Sequence, residues 1–179
     1  MTCIVGLVHD GVGYIAADSA ISDDSQVDIC ATPKVGHWRG SGLVPEYLLG
    51  VAGDWRGCSD ILRTLEFGHP NMGWESYHPE QLPVKEILSD TPKRGRNVDV
   101  LVVTAEAVWT YTAPLWTPLK HRRPYAAIGA GAPYALGYLS GRHPYNTNAG
   151  DAVKAASEFC PGVRGPVNIL KTEAPHEQP

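Results

Sequence analysis

The stretch MTCIVGLVHDGVGYIAADS, residues 1–19, decides the expected fold. It holds two apolar runs, residues 2–8 and 12–17, that are continuous and do not alternate with polar residues. Such runs are typical of strands that are buried on both faces. The segment His-Asp-Gly at residues 9–11 stands between them and is a signal for a hairpin turn. The sequence therefore opens with a predicted β-hairpin.

The length of the hairpin loop decides which residue lies opposite Asp18. A three-residue loop would pair Thr2 with Asp18, whereas a two-residue loop would pair Cys3 with Asp18. In either register, the carboxyl group of Asp18 is expected beside the start of the chain.

Apolar runs and turn signals predict the remaining strands and helices in the same way. Strands are expected at 47–52, 98–104, 107–112, 125–128 and 167–170, and helices at 59–67, 84–88, 132–139 and 149–159. Strand pairs that are separated by helices predict an α+β protein, folded as a four-layer αββα sandwich. We expect a single domain over residues 1–171 and a loose polar tail over 172–179.

Composition excludes several classes of function. The chain has 179 residues, with 15 Lys+Arg against 19 Asp+Glu and a net charge of −4. This balance argues against nucleic acid and anionic membranes as partners. No apolar run approaches the ~18 residues of a membrane span. The first residues lack the basic start of a signal peptide, so a cytoplasmic location is expected.

The four cysteines and seven histidines are scattered along the chain. No Cys-x-x-Cys pair is present, and the histidines do not show the spacing of a zinc site. We therefore expect reduced thiols, no catalytic metal and no cofactor.

Thr2 is a candidate nucleophile if Met1 is removed. Removal would leave a hydroxyl and a free α-amino group on one residue. An α-amino group with a pKa of about 7.7 to 8.0 is partly neutral at cellular pH and can accept the hydroxyl proton. Taken alone, Thr2 is as well explained as the ordinary first residue of a strand.

Asp18 and Lys34 strengthen this hypothesis as a set. Singly, Asp18 reads as a turn residue and Lys34 as a solvated lysine. Together they would supply a cation beside Thr2 and a carboxylate that holds the cation in place.

Several segments resemble the family of proteasome β-subunits and HslV peptidases. These are TCIVG at 2–6, YIAADS at 14–19, TPKV at 32–35, GVAG at 50–53 and AIGAGAPYA at 127–135. The resemblance therefore extends over most of the chain, and it implies a proteasome-like N-terminal nucleophile hydrolase.

The resemblance also implies roles for individual residues. Asp18 and Lys34 follow Thr2 by 16 and 32 residues, the spacing that the family uses. Thr2 would be the nucleophile, Lys34 would tune it with Asp18 as its orienting partner, and the amide of Gly53 would bind the oxyanion.

The implied activity is that of a threonine-type peptidase. Its substrate would be a peptide or an unfolded protein, cleaved inside a homo-oligomeric ring with an ATP-dependent unfoldase as a further partner. Two alternatives stay open: an amidase or acylase for a small molecule, and a non-catalytic ring subunit that keeps Met1.

The sequence departs from the family at polar positions around the nucleophile. Ala130 stands where the family has a serine between two glycines, and Cys160 and Val163 fall near its last aspartate and serine. Trp55 lies where the family lines its primary specificity pocket. These departures indicate a slow or specialised enzyme.

Overall fold

A computed structural model describes residues 1–22, 27–29, 33–38, 45–67, 80, 82, 97–112, 116–142 and 148–173. Several sequence-based predictions lie outside these residues: the helix at 84–88, the redox state of Cys30, and the tail from residue 174 onward.

The described elements follow the order expected for the sandwich, with additional short strands. The strands are β1 (Ile4–His9), β2 (Val12–Ala17), β3 (Ala20–Ser22), β4 (Val27–Ile29), β5 (Val35–Trp38), β6 (Tyr47–Gly53), β7 (Val98–Val103), β8 (Val108–Thr112), β9 (Leu119–Lys120), β10 (Tyr125–Ile128) and β11 (Asn168–Lys171). The helices are α1 (Trp55–Phe67), α2 (Ala132–Arg142) and α3 (Ala149–Phe159).

The opening hairpin has the two-residue loop. His9 pairs with Val12, and both Asp10 and Gly11 have positive φ angles of 49° and 72°. These angles fit the tight turn that matches the twist of the two strands. Asp18 therefore lies beside Cys3, as the two-residue alternative predicted, and not directly opposite Thr2.

Two antiparallel sheets form the centre of the molecule. The first has the strand order β10-β1-β2-β11, and the second has the order β5-β6-β7-β8-β9. The two sheets face each other across an apolar layer, where Ile4 and Ile15 lie against Gly50. A Cβ atom at Gly50 would come within 2.7 Å of Ile4 Cγ2, so the close approach of the sheets depends on this glycine.

Helices cover the outer faces of both sheets. The core between the first sheet and the pair α2 and α3 includes Val5, Ala16 and Leu139, while Ile61 of α1 packs on the outer face of the second sheet. The predicted four-layer αββα sandwich is thus confirmed. No helix in the described ranges is both long and apolar enough to span a membrane.

Two predicted helix boundaries were wrong. α1 begins at Trp55 and not at Ser59, because the Asp54 carboxylate accepts hydrogen bonds from the Arg56 and Gly57 amides and caps the helix. α2 continues through Gly141 to Arg142. Gly141 lacks a positive φ, so it does not end the helix as a C-terminal glycine would.

The end of the described chain is held against the first hairpin. Thr172, which the sequence places in the tail, is buried, and its hydroxyl accepts a hydrogen bond from the Gly13 amide at 2.9 Å. The Thr172 amide in turn donates to the Gly13 carbonyl at 2.9 Å. Ordered contacts therefore extend beyond β11.

Candidate active site

The main chain of Thr2 is fixed by the glycine-rich junction between β10 and α2. The Gly131 amide donates a hydrogen bond to the Thr2 carbonyl at 3.0 Å. Gly129 has a φ of +86°, and a Cβ atom there would collide with the same carbonyl. A glycine is therefore required at Gly129 both for its backbone angle and for the approach of Thr2.

Asp18 is held at the end of β2 by main-chain donors. Its Oδ1 accepts from the Cys3 amide at 2.8 Å, and its Oδ2 accepts from the Ala20 amide at 3.1 Å. The Asp18 amide donates to the Cys3 carbonyl at 3.2 Å, which continues the pairing of the hairpin. Asp18 is only 1% exposed, so these contacts hold its carboxylate in one orientation.

Lys34 brings the three candidate side chains together. Its Nζ lies 2.9 Å from Thr2 Oγ1, and it lies 3.0 and 3.1 Å from the two carboxylate oxygens of Asp18. The Lys34 carbonyl accepts from the Val51 amide at 3.1 Å, which ties its backbone to β6. An ammonium group has three N–H donors, and here both the Thr2 hydroxyl and the Asp18 carboxylate accept from it.

This arrangement can favour ionisation of a hydroxyl. Lys34 is 4% exposed, so its charge is poorly screened by water at the Thr2 oxygen. A fixed cation next to an oxygen favours its negatively charged form, and it also favours the neutral form of a nearby amine.

Cys3 also carries a nucleophilic side chain near the chain start. Burial, together with the smaller effect of the negative charge of Asp18, raises the pKa of its thiol to about 12. Because the thiolate is the reactive form, the Cys3 thiol is inert near neutral pH. Cys3 is therefore not a candidate nucleophile.

Gly53 ends β6 at the same end of the sheet as Lys34. It has a φ of +126°, and a Cβ atom there would collide with the Asn97 carbonyl. Its position is thus specific for glycine. Trp55, two residues later, is the first residue of α1 and is 38% exposed. The roles of Gly53 in oxyanion binding and of Trp55 in specificity stay predictions.

The three positions that depart from the family lie around the chain start. Ala130 is exposed in the turn between β10 and α2. Cys160 is buried, with its Sγ 4.0 Å from Met1 Sδ, and a Cβ atom at Gly131 would lie 3.0 Å from Val163 Cγ2. None of the three carries a hydroxyl or carboxylate that could orient the Thr2 nitrogen.

Sequence reasoning missed a polar connection behind Asp18. The Ser19 hydroxyl donates to the Pro166 carbonyl at 2.6 Å, and the Asn168 side-chain amide donates to the Ser19 oxygen at 3.1 Å. The Ser19 amide also donates to the Arg164 carbonyl at 3.2 Å. No local pattern links positions so far apart in the chain. These bonds tie the end of β2 to the loop before β11.

The described part of the chain contains no group of three or more His, Cys, Asp or Glu side chains that could hold a metal ion.

The architecture corresponds to a known fold. Two facing antiparallel sheets between helical layers form a proteasome-like fold of the N-terminal nucleophile hydrolase type.

Three solved structures represent the similarity. BPH from Thiobacillus denitrificans, in complex with epoxomicin, is 20% identical with a TM-score of 0.70, covering 97% of this chain and 99% of that one. Eukaryotic HslV from Trypanosoma brucei is 14% identical with a TM-score of 0.68, covering 95% and 98%. The Anbu complex from Pseudomonas aeruginosa, solved as a helical assembly, is 13% identical with a TM-score of 0.71, covering 96% and 81%.

No protein-family model matches the chain, and no curated protein matches it. At these sequence identities, the similarity establishes the fold alone.

Proposed function

We propose that this protein is a threonine-type peptidase in which Thr2 becomes the N-terminal nucleophile after removal of Met1. One observation carries the proposal: a buried ammonium, Lys34 Nζ, lies 2.9 Å from Thr2 Oγ1 and contacts both carboxylate oxygens of Asp18. An ordinary solvated lysine or turn aspartate would lie in solvent, and not in this buried contact. The proteasome-like fold supports the same chemistry.

The reaction would proceed by acyl transfer to Thr2. The Thr2 α-amino group accepts the proton of its own hydroxyl, and Oγ1 attacks the substrate carbonyl to form a C–O bond. When the C–N bond breaks, the leaving nitrogen takes a proton from the same amino group. Water then hydrolyses the ester and regenerates free Thr2.

The protein groups would lower the barrier mainly by electrostatics. Lys34 stabilises the developing charge on Oγ1, and Asp18 keeps the ammonium in position. The Gly53 amide is assigned to the tetrahedral oxyanion. These groups are fixed before the substrate arrives, so little reorganisation is needed during the reaction.

The proposed substrate is a peptide or an unfolded protein, and the proposed state is a cytoplasmic homo-oligomeric ring. An exposed peptidase site would endanger other proteins unless subunits enclose it. The Anbu structure, which has this fold, was solved as a helical assembly, which supports association of identical subunits. An ATP-dependent unfoldase would be needed for folded substrates. Identical head-to-tail contacts generate closed rings when their rotation closes.

Intact-mass measurement on protein from the native cell tests the proposal first. The expected product begins at Thr2. Incubation with epoxomicin, which the BPH structure contains, should then give a single adduct that peptide mapping places on Thr2. A Thr2-terminal protein that forms no adduct and cleaves no peptide would contradict the proposal.

One observation favours a second candidate, a non-catalytic subunit that keeps Met1. The Met1 side chain, although 52% exposed, packs on one side against Gly162, and removal of Met1 would lose this contact. Retention of Met1 throughout the native population would support this candidate and contradict the peptidase.

A further inference from the structure

The side chain of Thr2 faces the open end of the layer between the two sheets. Ile4, two residues further along the chain, points into this layer, since a Cβ atom at Gly50 would lie 2.7 Å from Ile4 Cγ2. Alternate residues of an extended chain share a face. In agreement, Thr2 Oγ1 lies 2.9 Å from Nζ of Lys34, which directly precedes β5 of the second sheet. A substrate must therefore enter this open end to reach the proposed nucleophile.

Asp99 lies at the same end of the second sheet and on its inner face. It pairs with Ala52 of β6, one residue before Gly53. Leu101, two residues further along β7, belongs with Ala52 to the apolar cluster between the sheets, whereas Val98 belongs to the cluster under α1. Because successive residues of a strand alternate between its faces, the Asp99 side chain projects toward the open end of the layer between the sheets.

The order of the strands gives the scissile bond a position between Lys34 and Asp99. β6 lies between β5 and β7, and its Val51 amide donates to the Lys34 carbonyl. With about 4.8 Å between neighbouring strands, the main chains at Lys34 and Asp99 lie roughly 10 Å apart. Gly53, whose amide is assigned to the oxyanion, ends β6, so the carbonyl under attack would lie beside the end of this middle strand. An extended peptide advances about 3.3 Å per residue, so a long side chain near the scissile bond can reach the Asp99 carboxylate.

The charge of Asp99 has no counter-ion in the described part of the chain. Asp99 is half-buried, its side chain hydrogen-bonds with Thr112 on β8, and no lysine, arginine or histidine of the described ranges forms an ion pair with it. Burial raises the pKa of Asp99, so its charged form lowers the stability of the folded protein. A charge that is kept at the expense of stability, beside a reactive group, is typical of a functional position.

We propose that Asp99 determines substrate specificity by binding a lysine or arginine side chain that lies within two residues of the scissile bond. The inference rests on the proposed peptidase function. Both side chains combine a long apolar stem with a cationic end, so the stem can lie along the apolar walls of the two sheets while the charge reaches the carboxylate. The sheets shield this ion pair in part from water, and the substrate supplies the counter-charge that the described residues do not.

The test compares internally quenched peptides that carry either lysine or norleucine, which has the same four-carbon stem without the charge. The exchange is made in turn at each of the two residues before and the two residues after the scissile bond. Protein whose intact mass begins at Thr2 should cleave the lysine peptide at one of these positions with a kcat/KM about five- to tenfold above that of the norleucine peptide. The ratio should fall in high salt, which screens ion pairs.

Asp99→Asn should bring this ratio close to one, mainly by slowing the lysine peptide. Glu106→Gln is the matched control, because it removes the same charge from an exposed turn at the other end of β7. It should keep the lysine preference.

Three results would overturn the role of Asp99 and leave the peptidase standing: wild-type turnover without a lysine preference at any position, a preference that persists in Asp99→Asn, and equal slowing of both peptides in Asp99→Asn. The last result, in a variant with an unchanged circular dichroism spectrum, would indicate that Asp99 acts in a step common to all substrates. Absence of turnover for every peptide would contradict the peptidase, and the role of Asp99 with it.

Discussion

Lys34 and Asp18 form an ion pair in which the ammonium lies within 3.0 and 3.1 Å of the two carboxylate oxygens, and neither side chain is more than 5% exposed. A buried pair of this kind is strongly destabilised when one partner is removed, because the other charge is left without compensation. The pair therefore links the stability of the protein to its proposed catalysis.

Lys34→Ala is expected to lower both the activity and the stability of the protein. Activity should fall by about 10²- to 10³-fold, as for the loss of a preorganised group worth roughly 3 to 4 kcal/mol in the transition state. The free energy of unfolding should fall by about 3 to 5 kcal/mol, because Asp18 loses its counter-charge. Peptide hydrolysis and urea unfolding measure the two effects.

The double variant Lys34→Met with Asp18→Asn separates the effect on activity from the effect on stability. It removes both charges, but an asparagine side chain can accept from only one of the two main-chain amides that Asp18 binds. We therefore expect stability above that of Lys34→Ala and below that of the wild type, together with activity as low as that of Lys34→Ala. A fully active Lys34→Ala protein would show that the ammonium has no part in the reaction.

Thr2→Ala should abolish peptide hydrolysis and epoxomicin labelling while the fold stays intact. The contacts of the Thr2 backbone with the junction do not involve its side chain. Circular dichroism and the thermal transition serve as controls for folding. Labelling that persists at another residue would exclude Thr2 as the nucleophile.

Ala130→Ser is expected to raise turnover. Ala130 is exposed in its turn, so there is room for one more oxygen, which could orient the Thr2 amino group or its water. We would compare kcat for the same peptide in the two proteins. An unchanged or lower kcat in a folded variant would mean that another group already fills this role.

Asp99→Asn should stabilise the protein at neutral pH. Burial raises the pKa of Asp99, and its hydrogen bond with Thr112 only partly opposes this shift. A raised carboxyl pKa means that the folded state disfavours the charged form, so stability is lost as the pH rises through this pKa. Tm should therefore be higher for Asp99→Asn at pH 7, and the difference should disappear near pH 3. The exchange Glu106→Gln at an exposed turn is the control.

An assembled state is expected at micromolar concentration. Light scattering should give a mass that is a multiple of 19.3 kDa, and peptide hydrolysis should follow the assembled fraction. An active monomer would contradict enclosure of the site and would favour an amidase for small molecules.

The sequence predicted the elements whose signals are local. The limits of β2 at residues 12–17, β10 at 125–128 and α3 at 149–159 agree with their apolar patterns. The short strands β3, β4, β5 and β9 were not predicted, because two to four residues carry no clear periodicity. The start of α1 differs because the Asp54 carboxylate caps the helix before the apolar pattern begins.

The candidate site was predictable only in part. The spacing of Thr2, Asp18 and Lys34 predicted that the three residues belong to one site. The contacts among them, however, depend on the register of the hairpin and on the path of β5. The bonds that join Ser19 to Asn168 span 149 residues, so no sequence window contains them.

The strand order β10-β1-β2-β11 has a consequence for synthesis of the chain. The hairpin that carries Thr2 leaves the ribosome before the two strands that flank it, which are translated more than 100 residues later. Pairings so distant in sequence form slowly, because a long loop must close before they contribute. The junction that fixes Thr2 follows β10, so a nascent chain that still lacks this junction cannot hold Thr2 in place. Hydrolytic competence would therefore be a property of the finished polypeptide, and ribosome-bound intermediates would be harmless to the proteins around them.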